Sequence, residues 1–309
     1  DWSSDVCSSD LATESRALAL YINPGASHRR WQRYPDGGTA VGISGEMSVL
    51  RDVNGDGRPD VIGTYQGGAM GYASFDPANP TAPWKVTPVS PPGTGSGHGA
   101  GVADINGDGK LDILGAAGWS EAPATAGGEW KYHPVAFGRW GRSQTPGGGE
   151  IFAYDVNGDG LVDVVTSLNG HGWGLAWYEQ KKSAAGEISF TRHMIMDTYS
   201  TKNAGGVTFA ELHAVGIGDI DGDGIPDIVT GKRYWSHNDS YFDPDSYGEP
   251  VLYWYRTVRN KTAPGGAEFV PTLIHNRSGV GSQIVVQDLN KDGALDIVTA
   301  TNRGTFVFW

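Results

Sequence analysis

Asp219-Ile220-Asp221-Gly222-Asp223-Gly224-Ile225-Pro226-Asp227 reads D-x-D-x-D-G-x-x-D, and the chain of 309 residues returns to this pattern four more times. The other copies set out Asp52, Asn54, Asp56 and Asp60; Asp104, Asn106, Asp108 and Asp112; Asp155, Asn157, Asp159 and Asp163; and Asp288, Asn290, Asp292 and Asp296. Positions 1, 3 and 5 offer side-chain oxygens from one tight turn, position 7 offers a carbonyl, and the Asp at position 9 closes the set. That donor set suits calcium, which takes six to eight hard oxygen ligands in a flexible shell. The Gly at position 6 supplies the positive φ that such a turn requires. An EF-hand would need a Glu at position 12 and helices on both sides. Here the flanks are Val215-Gly216-Ile217-Gly218 and Ile228-Val229-Thr230, short β-rich runs, so each loop joins two strands. The competing reading is a set of Asx-rich turns that hold no ion.

The charge balance favours occupied loops. Sixteen of the 35 acidic residues are Asp at ligand positions, and the other 19 are outnumbered by 23 Lys and Arg. The formal charge of −12 is therefore a property of the loops. Without ions each loop crowds three or four like charges. The acidity thus implies metal. There is no basic stripe and no motif for nucleic acid. No run of apolar residues is long enough to span a membrane.

First Asp residues follow one another at 52, 51, 64 and 69 residues. Each interval holds about four short strands, the period of β-propeller blades. The chain is expected to be all-β, a propeller of four-stranded blades around residues 46–90, 99–137, 150–196, 213–275 and 283–309, with a partial blade at 16–35. In the second unit the third strand is obscure, because Ser120 to Gly128 is rich in small residues and Pro. Trp177 and Trp254 sit at equivalent third-strand places and are expected to pack between blades. The two ends do not complement each other neatly, which suggests an arc of a six- or seven-bladed ring; a closed ring of five or six blades with irregular joins is the alternative. Residues 1–11, which contain the only cysteine, Cys7, resemble translated adapter sequence and are set apart from the single domain at 12–309.

The five loops resemble those of the FG-GAP or VCBS repeat family, found in integrin-α-like propellers and many secreted bacterial proteins. The resemblance covers Glu46 to Trp309 and implies calcium in up to five loops, an extracellular or periplasmic setting, and a binding or scaffold module for glycans or proteins. A narrower resemblance rests on Glu211-Leu212-His213-Ala214-Val215 and on Gly231-Lys232-Arg233-Tyr234-Trp235-Ser236-His237. These segments look like the propeller of fungal aldos-2-ulose dehydratase and related bacterial proteins, and imply a metal-dependent sugar dehydratase or lyase as the alternative function. Whether the chain is an enzyme stays open at this point.

Strand polarity points to a second site. If the first strand of a blade runs toward the calcium loop, its start lies at the opposite mouth, near the axis. Six residues before the first loop Asp stand Glu46, His98, Gly149, His213 and Ser282, with Glu150 one place later. Glu46, His98 and His213 converging there are candidates for zinc or another transition metal. Glu150 or His213 would then move a proton, while Lys232 and Arg233, with His237, would meet an anionic or polyhydroxy ligand on the same face. His171 and His193 rank lower and His275 lowest. The plain alternative is a polar propeller rim whose histidines bond neighbouring loops.

Overall fold

The computed structural model describes residues 6–7, 19–27, 29–35, 47–65, 67–76, 78–79, 81–95, 98–139, 146–234 and 243–309. Its described elements are β-strands with two single-turn 3₁₀ segments, and no helix is long and apolar enough to cross a membrane. The strands form six antiparallel sheets. The first holds β1 (Val6–Cys7), β2 (Ala19–Ile22) and β3 (Gln32–Pro35). The first repeat holds β4 (Val49–Arg51), β5 (Asp60–Tyr65), β6 (Ala69–Ser74) and β7 (Lys85–Pro88), and the second holds β8 (Ala100–Ala103), β9 (Asp112–Gly115), β10 (Gly118–Glu121) and β11 (Lys131–Pro134). The third holds β12 (Phe152–Tyr154), β13 (Asp163–Ser167), β14 (Leu175–Lys182) and β15 (Ile188–Met196), and the fourth β16 (Val215–Gly218), β17 (Asp227–Gly231), β18 (Leu252–Arg259) and β19 (Ala267–His275). The fifth has three strands, β20 (Ile284–Gln287), β21 (Asp296–Thr301) and β22 (Gly304–Phe308).

Strands follow one another in space as they do in sequence, each acidic loop joining the first strand of a sheet to the second. This is the propeller arrangement. Val6–Cys7, inside the segment set apart above, pairs with Ile22 and Tyr21 of β2. The strand missed in the second repeat is β10. Only Ala116 and Ala117 separate it from β9, so the two read in sequence as one small-residue run.

The core lies between sheets. Met47, Val49, Ile62 and Met70 of the first repeat meet Ala100 and Ile113 of the second. Leu114 and Trp119 meet Ile151, Val164 and Tyr178 of the third, and Val165 and Trp177 meet Ile228, Tyr255 and Phe269 of the fourth. Val229 and Leu252 then meet Ile284 and Ile297 of the fifth, while Leu20 of the N-terminal sheet packs on Val61, Phe75 and Trp84. Burial of such side chains contributes roughly 1.5–3 kcal/mol each relative to exposure. Trp177 is buried between blades as expected; Trp254, opposite Val229 in the fourth repeat, is half-buried. Gln283 donates to the Ser48 carbonyl at 3.2 Å, bringing the start of the fifth repeat against the start of the first.

Candidate metal centre at the propeller mouth

The acidic loops repeat one hydrogen-bond scheme. In the first, Asp52 accepts from the amides of Gly55, Asp56 and Gly57, Asn54 from Asp56, and Asp56 from Arg58. Position 6 has φ between +84° and +94° in all five loops, as the Gly there requires. Position 4 is also left-handed, and in the fifth loop Lys291 adopts it at φ +62°. The closing Asp is buried in every copy and accepts the amide after the first Asp, from Val53, Ile105, Val156, Ile220 and Leu289. In the second, third and fourth repeats its other oxygen accepts from the third strand, at Ala122, Gln180 and Thr257. Position 9 therefore anchors the loop to its blade as well as facing the turn. Burial pushes the carboxyls of Asp112 and Asp163 up to about 6, against the pull of those amides and with the help of neighbouring loop Asp residues.

The fourth loop tests the fit to a hard cation. Asp219, Asp221 and Asp227 bring carboxylate oxygens within 4.8 Å of one another, and Asp219 Oδ1 is buried without a hydrogen-bond partner among the described residues. A divalent ion with oxygen ligands at about 2.3–2.6 Å fits that spacing and satisfies that oxygen.

At the opposite ends of the inner strands a second set of groups converges. His98 precedes β8, His213 precedes β16, and His171 sits in the turn between β13 and β14. His98 Nε2 lies 3.1 Å from His213 Nε2 and 3.1 Å from His171 Nε2. The three rings meet edge-on, with centroids 4.8–5.2 Å apart, and all three are buried. The backbone makes room for this. Gly170 stands where a Cβ would lie 3.2 Å from the His213 ring and 3.3 Å from the His98 ring. The His171 amide donates to Asn169 Oδ1, while Asn169 Nδ2 holds the Arg139 carbonyl. His171 Nδ1 lies 3.3 Å from a carboxylate oxygen of Asp243.

An imidazole nitrogen has one in-plane site, occupied by either a proton or a lone pair. His98 Nε2 has two nitrogen neighbours at 3.1 Å and can hydrogen-bond only one of them. A metal ion between the rings satisfies all three. Zinc–nitrogen bonds of about 2.0–2.1 Å in a tetrahedron place ligand nitrogens roughly 3.3–3.4 Å apart, close to the separation found here. Asp243 on His171 Nδ1 is the carboxylate–histidine arrangement that turns Nε2 toward a metal.

Beside the histidines, Lys232 Nζ bonds Glu211 Oε1 at 2.8 Å, with both side chains fully buried. Burial raises the Glu211 carboxyl while the Lys232 ammonium opposes the shift.

His98 and His213 are thus brought together as expected, and Glu46 and His237 lie outside the described residues. His171 joins His98 and His213. It lies past the second strand of the third repeat, as Lys232 and Arg233 lie past the second strand of the fourth. Lys232 is enclosed and bound to Glu211. The Arg233 amide donates to the Glu211 carbonyl, and its backbone bridges to Val280. His193 stacks on Trp177 and bonds Glu179, and His275 lies against Phe306 and Phe308, all outside the group.

Glu150 does not join the three histidines. Burial pushes its carboxyl up to about 7, with Arg51 opposing. Folding therefore favours the protonated acid. This contribution is full below the ordinary carboxyl range near 4.5 and is lost as pH rises through 7. Glu150→Gln is expected to flatten that part of the stability profile and to leave the protein more stable than wild type at pH 8, read by urea denaturation across pH.

The FG-GAP-like repeat model matches residues 52–115, 155–230 and 219–299. Among curated proteins no sequence match was found. Among solved structures, the V. cholerae biofilm matrix protein Bap1 is similar at 15% identity and a TM-score of 0.38, over 96% of this chain and 53% of its own. The chain thus spans about half the length of that structure.

Proposed function

Because the chain belongs to the FG-GAP-like repeat family, we propose that it is a calcium-stabilised extracellular propeller module that holds a transition metal on His98, His171 and His213 and presents it to a sugar carrying a carbonyl group. The observation that carries this reading is the convergence of three buried imidazole nitrogens from three consecutive blades. Calcium follows from the five acidic loops and the crowded carboxylates of the fourth. The setting follows from loops of this kind filling at the millimolar calcium found outside cells. The carbonyl-bearing sugar rests on the likeness of residues 211–215 and 231–237 to the aldos-2-ulose dehydratase propeller.

Bound zinc would supply a Lewis acid that polarises a carbonyl oxygen. The chain's own residues hold and orient it. His98, His171 and His213 would give three nitrogens, the protein-ligand count of catalytic rather than four-ligand structural zinc. Asp243 fixes the tautomer of His171.

The depth of the histidines favours a second reading, in which the metal staples blades two, three and four and the module binds a glycan or protein partner without turnover. Incubating the zinc-loaded protein and its His213→Ala variant with anhydrofructose separates the two. Zinc-dependent loss of water from the sugar, absent in the variant, supports the enzymatic reading. Tight zinc binding without turnover, whether or not the sugar binds, supports the scaffold.

A further inference from the structure

Glu211 occupies an unusual place. Its φ is +60°, a conformation that is costly for a non-glycine residue and persists where surroundings enforce it. Its amide donates to the Gly172 carbonyl at 2.6 Å, next to His171. Its carbonyl accepts from the His213 amide at 2.8 Å and from the Arg233 amide at 2.9 Å. One residue thus fastens the backbone of His213 and of Gly172, the neighbour of His171. Its side chain is as constrained. Oε1 bonds Lys232, itself 3.9 Å from Asp245, and Oε2 is buried with no hydrogen-bond partner among the described residues. A buried ion pair is seldom the most stable filling of such a space; apolar residues of like volume usually do as well or better. Its place next to the histidines points to another role.

We propose that Glu211 is the positioning residue of the histidine centre: its buried ion pair with Lys232 holds the left-handed backbone that sets the spacing of His171 and His213. The proposal rests on the metal reading above and deepens it. Glu211 touches no reacting atom; it acts through the His213 amide and the Gly172 carbonyl that its backbone holds. Loss of such a supporting group costs roughly 10–100-fold in metal affinity.

Cobalt(II) is the probe, because a tetrahedral nitrogen site gives it a visible absorption band that reports geometry directly. The whole chain is titrated in calcium, as wild type, as Glu211→Gln, and as Glu211→Gln with Lys232→Met. The double variant guards against misfolding, since it leaves no buried charge unpaired. Both are expected to bind cobalt about 10–100-fold more weakly with an altered band, while the calcium-dependent melting rise stays as in wild type. Wild-type cobalt affinity and an unchanged band in a folded double variant would overturn the proposal and leave the metal centre standing. Wild-type protein that binds no cobalt would overturn both.

Discussion

His213→Ala is expected to strip the protein of its transition metal, with affinity for zinc or cobalt falling by more than the roughly 10–100-fold that follows loss of a supporting group. The variant removes one of three nitrogens, and the two that remain cannot enclose the ion. His171→Ala should act as strongly, although His171 comes from a turn between strands rather than from the start of a blade. His193→Ala is the control. Its imidazole stacks on Trp177 at a centroid distance of 4.5 Å and bonds Glu179 at 2.9 Å, so it has no part in the centre. Competition titration against a chromophoric chelator measures all three. Equal zinc affinity for wild type and His213→Ala would show that the convergence of rings is only a packed polar rim.

Removing calcium is expected to lower the melting temperature by a large margin, with zinc kept in the buffer so that the two metals are not confused. An ion at 100 times its dissociation constant stabilises the folded state by about 2.7 kcal/mol per site. At roughly 2–4 °C per kcal/mol for a domain of this order of size, each filled loop should contribute about 5–10 °C. The fourth loop should bind most tightly, since it alone has Asp at positions 1, 3, 5 and 9 and an unpartnered Asp219 oxygen. Asp221→Asn gives it the pattern of the other four and should reduce its share. Thermal scans in calcium and in a calcium-selective chelator decide the matter; superimposable curves would favour turns that hold no ion.

The repeat architecture was legible because its signal is local and redundant. Five copies of a nine-residue turn fix the φ at Gly57, Gly109, Gly160, Gly224 and Gly293, and with it the reversal between first and second strands. The start of each inner strand could then be found by counting back from the loop, which led to His98 and His213. His171 was harder, because the turn after β13 carries no periodic pattern. It is placed by Asn169, which holds the Arg139 carbonyl, and by the Gly170 amide on the Gly147 carbonyl, contacts between segments distant in sequence. The burial of Lys232 was hidden for a related reason. A lysine past a strand reads as exposed, and only the fold shows that Glu211 reaches it at 2.8 Å. The anchoring role of the closing Asp, through third-strand amides such as Gln180 and Thr257, was equally invisible to spacing alone.

The most direct measurement is an anomalous difference map from crystals grown with zinc and calcium, using data on either side of the zinc absorption edge. One peak about 2.0–2.1 Å from the Nε2 atoms of His98, His171 and His213 is predicted, with no zinc signal in the acidic loops. A map without a peak among the three rings, or with zinc only in the loops, would contradict a metal centre at the propeller mouth.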